Sequence, residues 1–324
     1  MGREGIREIL RSTGRWPLAD YFTARGLAPD VAERHPWNRA SRLTSLAENI
    51  DGMPEDDDLN YTLLALALVE RRGRAFTTDD VAELWLSELP GLRVFTAERA
   101  VYRNLLDGIA PSEAATVANP YREWIGAQIR ADLYGWISPG DPQTAAALAW
   151  RDARLSHVRN GVYGAMYVAA LAAAACAFDD IAAVIEAGRS VIPPRSRLAR
   201  SVDLAIEVAR RGGPYEAALD ELYKAHAGLH WVHVLNNAAA VTLALLAGEG
   251  DFSRSICAAV MAGWDTDSNG ATVGAIVGAL VGGAAIPKRW TTPLHDRLSS
   301  SVLGFDGASF GTLAQRTVTL VAPS

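Results

Sequence analysis

The stretch GWDTDSNGATVGAIVGALVGG, residues 263–283, sets Asp265, Asp267 and Ser268 directly before a run of small and apolar residues that holds no charge. A second stretch, DGMPEDDDLNYTLLALALVERRGR at 51–74, puts Glu55, Asp56, Asp57 and Asp58 in succession at the start of a predicted helix. Pro54 suits a first helical turn. One or two carboxylates there complement the helix dipole, and the arginines at the far end complement its other pole. Four in a row exceed what capping uses, because like charges within about 4–6 Å oppose each other's ionisation. A bound cation removes that repulsion. The competing reading is two acidic caps on unrelated helices. Against it stands a shared arrangement, carboxylates followed by a hydroxyl or a further carboxylate at the mouth of an apolar helix.

Oxygen donors of this kind select hard cations, Mg2+, Mn2+ or Ca2+, whereas a zinc site wants His or Cys nearby. DTDSNG at 265–270 matches the opening of a calcium-binding EF-hand loop, but its twelfth position is Ile276, where a bidentate Glu is required. The calcium-loop reading fails. Thr77, Thr78, Asp79 and Asp80 read as an ordinary N-cap with its acidic partner and stay outside the site. His230 and His233 lack a companion Glu or Cys at helical spacing and read as structural. Asn236 and Asn237 read as buried hydrogen-bonding groups of open role.

The elements that must position these residues are helices. Apolar residues recur at i, i+3, i+4 from end to end, and strict alternation is absent, so the fold class is all-α. Helices are predicted at 6–11, 59–72, 77–89, 97–106, 121–134, 142–154, 161–177, 214–225, 231–247, 252–261 and 270–283. No stretch has the length or polarity of a linker, and no period repeats. The prediction is one compact single-domain helical bundle over residues 1–324, with a metal cleft. Glycines 270, 274, 278 and 282 line one face of a helix, which predicts a close helix–helix approach at the centre of that bundle.

A chain of 324 residues that is 49% hydrophobic supports a sizeable core. Its net charge of −6, with scattered arginines, argues against a nucleic-acid partner. The apolar runs at 162–178 and 270–287 fall short of the roughly 20 residues of a membrane span and are dominated by Ala and Gly, so they read as buried helices. Cys176 and Cys257, each in an Ala-rich stretch, are predicted as buried free thiols in a reducing compartment. With no apolar secretory signal at the N-terminus, a cytoplasmic location is expected.

On these motifs the chain resembles the ADP-ribosylglycohydrolase family. GWDTDSNGATVGAIVGALVG carries the strongest likeness, an Asp-x-Asp-Ser/Thr group ahead of a small-residue helix. PEDDDLNYTLLALAL is similar to the family's first metal motif in a bacterial branch that reads Glu-Asp-Asp-Asp. IGAQIRADLYGWISPG (125–140), DARLSHVRNGVYGAMYVAA (152–170) and HWVHVLNNAAAV (230–241) resemble further segments of that branch, so the likeness runs from about residue 30 to 285.

The resemblance implies an all-α hydrolase that cleaves ADP-ribose from a protein side chain or small molecule and holds two Mg2+ or Mn2+ ions. It implies Glu55, Asp56, Asp57, Asp265, Asp267 and Ser268 as ligands, with Asp56 and Asp57 also catalytic. It sets Gly126, Ala127 and Gln128 against ADP-ribose and lines the same cleft with His157, whose alternative role is structural. Metal chemistry then predicts ribose hydroxyls oriented by the ions and attack of an activated water on the anomeric carbon, through an oxocarbenium-like transition state. Family members usually open with a Gly-rich helix carrying Gly-Asp-x-x-Gly and Pro-x-Glu. MGREGIREIL resembles the sequence that follows that helix, so the segment is expected to be missing. That expectation keeps a catalytically impaired ADP-ribose-binding or structural protein as the alternative function.

Overall fold

The helical periodicity is realised in helices that run from Arg3 to Thr319, with irregular segments between them. The computed structural model describes residues 2–39 and 41–321, and holds 18 α-helices and no strand among those residues. Two isolated bridges, Met53 with Leu298 and Trp124 with His233, are the only β-type pairings among the described residues. The fold is all-α. No helix among the described residues is long and apolar enough to cross a membrane.

The innermost helix is Asn160–Ala175, in which every residue from Tyr167 to Ala174 has no exposure. Its alanines combine high helix propensity with little bulk, so neighbours pack against it from several sides. Helices Pro142–Ala153, Asp132–Trp136 and Ile181–Ser190 surround it. A Cβ on Gly135 would collide with the Cβ of Ala172 and the carbonyl of Ala169, so close approach demands glycine there. Helix Val234–Gly248, nearly as buried, packs against Arg197–Arg210 and Phe252–Met261.

Helix Thr266–Val281 differs from expectation. It starts four residues before the predicted position and is buried along one side only. Gly270, Gly274 and Gly278 face side chains of Val260, Ile256, Phe252 and Ile286, at 3.3–3.7 Å from where a Cβ would sit. The glycine stripe therefore accommodates branched and aromatic side chains rather than a second backbone. Gly282 ends the helix with φ +78°.

Residues 121–134 also depart from the predicted helix. The backbone N–H of Ile125 donates to Val232 (2.9 Å) and that of Val234 to Glu123 (3.2 Å). These cross-chain bonds replace the i−4 bonds of a helix, leaving a 3-10 turn at Ile125–Arg130 and the short helix Asp132–Trp136. Cys257 is buried as expected, but Cys176 is exposed, because its helix stops at Ala175 and the cysteine becomes the C-cap.

Candidate metal centre

Helix Asp57–Arg72 opens with Asp56 as N-cap, one carboxylate oxygen accepting from the Asp58 N–H at 2.9 Å. Asp57 and Asp58 fill the first turn, and Arg71 and Arg72 the last, as the helix dipole favours. Carboxylate oxygens of Asp56, Asp57 and Asp58 all lie within 4.8 Å of one another. Asp58 is 6% exposed. Its Oδ2 accepts from the Ser268 hydroxyl at 3.4 Å, and its Oδ1 has no partner. The two acidic motifs, distant in sequence, meet at this bond.

In the second motif Asp265 is the N-cap of helix Thr266–Val281, yet its side chain makes no capping bond. Trp264 before it adopts φ +58° and stacks on Tyr223 at 4.1 Å. Asp265 and Ser268 are buried, and Asp267 is exposed.

Burial sets the electrostatics of this cluster. It pushes Asp57 up to about 7, with the charges of Asp56, Glu98 and Asp267 adding to the rise. Asp265 rises to about 8 through burial and the charges of Asp267 and Asp57. Asp58 is driven well above the ordinary range by burial and by Asp56 and Asp57, and Asp56 is raised by burial against the bond from Asp58. Among the described residues no lysine or arginine pairs with any of these carboxylates. Crowded oxygens, those of Asp58 and Asp265 buried and those of Asp56 and Asp57 half-buried, without a counter-charge and one of them an orphan, are a donor set that fits a hard divalent cation.

Glu55 lies elsewhere. Its Oε1 accepts from the Asn60 amide at 3.0 Å and from the Ser301 hydroxyl, and its Oε2 pairs with Arg93 at 3.0 Å. Burial raises it, but the bonds from Ser301 and Asn60 and the Arg93 charge outweigh that and hold it below the ordinary carboxylate range. The chain after residue 297 runs beside Met53 and brings Ser301 to it. Asp58, not Glu55, completes the three-carboxylate cluster.

Gly126, Ala127 and Gln128 lie in the 3-10 turn and are buried. A Cβ on Gly126 would collide with the Glu98 carboxylate. Gln128 has no exposure, and neither end of its amide is partnered. The turn is held by Arg130, 1% exposed, which donates to the Gly126 carbonyl (2.9 Å), Glu98 (2.7 Å), Asp152 (2.5 Å) and Ser156 (2.8 Å). His157 Nδ1 lies 2.8 Å from Ser156 Oγ. That oxygen also accepts from Arg130, and the other ring nitrogen of His157, Nε2, has no partner. Burial and the Arg130 charge hold His157 well below its ordinary pKa, so it is neutral.

Glu98 and Arg130 were missed in the sequence. The one available signal was a glutamate on the face that carries Ala97 and Val101, both buried. A surface shelf of aromatics flanks the turn: Trp124 stacks on His230 at 4.4 Å, with Tyr121 and Trp231 at its edges.

Fold and donor set together define an all-α protein whose helix mouths pool carboxylates suited to hard cations. A family model described as ADP-ribosylglycohydrolase matches residues 3–321, and the chain belongs to that family of glycosidic hydrolases. The chain is similar to an uncharacterized protein of Archaeoglobus fulgidus, 28% identical over 247 residues, 75% of each chain. It is also similar in fold to a solved structure described as an ADP-ribosylglycohydrolase-related protein complex. The TM-score is 0.55 at 24% identity, covering 82% of this chain and 79% of that one.

Proposed function

We propose that this protein is a metal-dependent hydrolase of the N- or O-glycosidic bond between ADP-ribose and an acceptor, either a protein side chain or a small molecule. The observation that carries the reading is the junction of Ser268 with the buried Asp58 inside a cluster of carboxylates without a counter-charge. Asp56, Asp57, Asp58, Asp265, Asp267 and Ser268 would hold two Mg2+ or Mn2+ ions. Glu55 joins them only by leaving Ser301 and Arg93. When bound, the ions supply Lewis acidity and orient ribose hydroxyls.

The chain's own groups do the rest. A carboxylate oxygen of Asp57 not engaged by an ion would suit proton transfer to and from the attacking water, with Asp56 beside it. Their charge also favours the positive character that develops on the ribose as the bond breaks. Gln128 and His157, whose amide and Nε2 lack partners, would contribute polar contacts to substrate alongside the backbone of Gly126 and Ala127. The aromatic shelf offers a flat surface to the base. The family match over residues 3–321 supports one catalytic unit, and two free thiols support a reducing, cytoplasmic setting.

The test is release of ADP-ribose from ADP-ribosylated arginine and serine peptides with Mg2+, with Mn2+ and with chelator. Release that needs the ion and disappears in Asp265→Asn is expected. ADP-ribose binding without release under any ion would overturn the proposal.

A further inference from the structure

We propose that Asn237 is the positioning residue that fixes Asp265, and with it the second half of the carboxylate cluster; this rests on the divalent-ion reading above. Asn237 sits in the first turn of helix Val234–Gly248 and has no exposure. Its amide uses every valence. Nδ2 donates to the carbonyls of Trp231 and His233, both at 2.9 Å. Oδ1 accepts from the backbone N–H of Asp265 at 3.2 Å and from the Asn269 amide at 2.8 Å. Only a primary amide offers two donors and two acceptor sites in so small a group.

The start of helix Thr266–Val281 needs an external hold. An aspartate at an N-cap ordinarily turns its carboxylate back onto the N–H groups of the first turn. Asp265 does not, and the residue before it is a tryptophan in left-handed backbone conformation, which a bulky side chain disfavours. Asn237 supplies the anchor that local bonds do not. The Asp265 carboxylate is thereby left free for the cluster instead of capping its own helix.

Asn236 is a matched control. It is equally buried in the same turn, and its Nδ2 donates to the His230 and Trp231 carbonyls at 3.5 and 3.3 Å. Its Oδ1 has no partner, so it makes no bond to helix Thr266–Val281.

The experiment is calorimetric Mn2+ binding to the full, chelator-stripped chain, with folding checked by circular dichroism. Asn237→Ser keeps a hydroxyl able to bond the His233 carbonyl, four residues back, but withdraws the acceptor from Asp265. It is expected to weaken Mn2+ binding by about ten- to a hundredfold, the range for losing a partner that orients a ligand. Excess Mn2+ should restore its ADP-ribose release, and Asn236→Ala should bind as the wild type does. Equal weakening in both variants, or wild-type affinity in Asn237→Ser while Asp265→Asn loses the ion, overturns the inference and leaves the ion reading standing. Wild-type affinity in Asp265→Asn removes the ion reading itself. If Asn237→Ser does not fold, hydrogen exchange on the unmodified chain decides: the Asp265 N–H should be protected although no helix carbonyl is available to it. Unprotected exchange there overturns the inference.

Discussion

At the scale of single residues, the sharpest disagreement between pattern and structure concerns Glu55 and Asp58. Position in the motif points to Glu55; the bonds from Ser301, Asn60 and Arg93 turn it away, while Asp58 carries an orphan oxygen. Asp58→Asn is therefore expected to cut Mn2+ affinity by at least about tenfold, and Glu55→Gln by much less, as calorimetry on the two variants would measure. Reversal of that order would return Glu55 to the ligand set. A second residue-scale expectation concerns Arg130. Its guanidinium lies over the rings of Tyr61 and Trp85 and bonds two buried carboxylates. Arg130→Met should cost about 3–5 kcal/mol in urea unfolding, because it strands Glu98 and Asp152 in the interior.

At the scale of helices, the glycine stripe makes a prediction opposite to its first interpretation. Nothing within 3.4 Å opposes a Cβ on Gly274 or Gly278, so Gly274→Ala should stabilise the protein by about 0.5–1 kcal/mol, read from its melting temperature. Destabilisation would mean a tighter approach than the contacts show. Helix 59–72 was legible because acidic start, apolar middle and basic end agree, and the Thr77 capping box because both partners lie three residues apart. Residues 121–134 were not, since the bonds that unwind them come from residues 232–234. The carboxylate runs stood out for the same local reason as the caps. Glu98 and Arg130 did not, because their meaning lies in a pairing across 32 positions that no window contains.

At the scale of the whole molecule, the raised carboxylates tie stability to pH. Asp57 and Asp265 titrate near 7 and 8 in the fold but near 4 in an unfolded chain. Between those values the native state holds more protons than the unfolded one, so the stability from these groups is present below about pH 4 and lost as pH rises through 7–8. In chelator, the melting temperature should fall between pH 5.5 and 8.5, and Asp57→Asn should flatten the slope. Saturating Mn2+ should remove most of it, since the ion binds the deprotonated form. A metal-free melting temperature that climbs over this range would contradict the burial described for the cluster.

The bond between Asp58 and Ser268 joins residues 210 positions apart, with the innermost helices of the protein between them. On the ion-binding proposal, a polypeptide still leaving the ribosome therefore carries only the Asp56, Asp57 and Asp58 part of its donor set until Ser268 has been made. Its first acidic helix must wait, mutually repelling, for a partner not yet translated. Such a late long-range closure predicts slow maturation of the nascent chain.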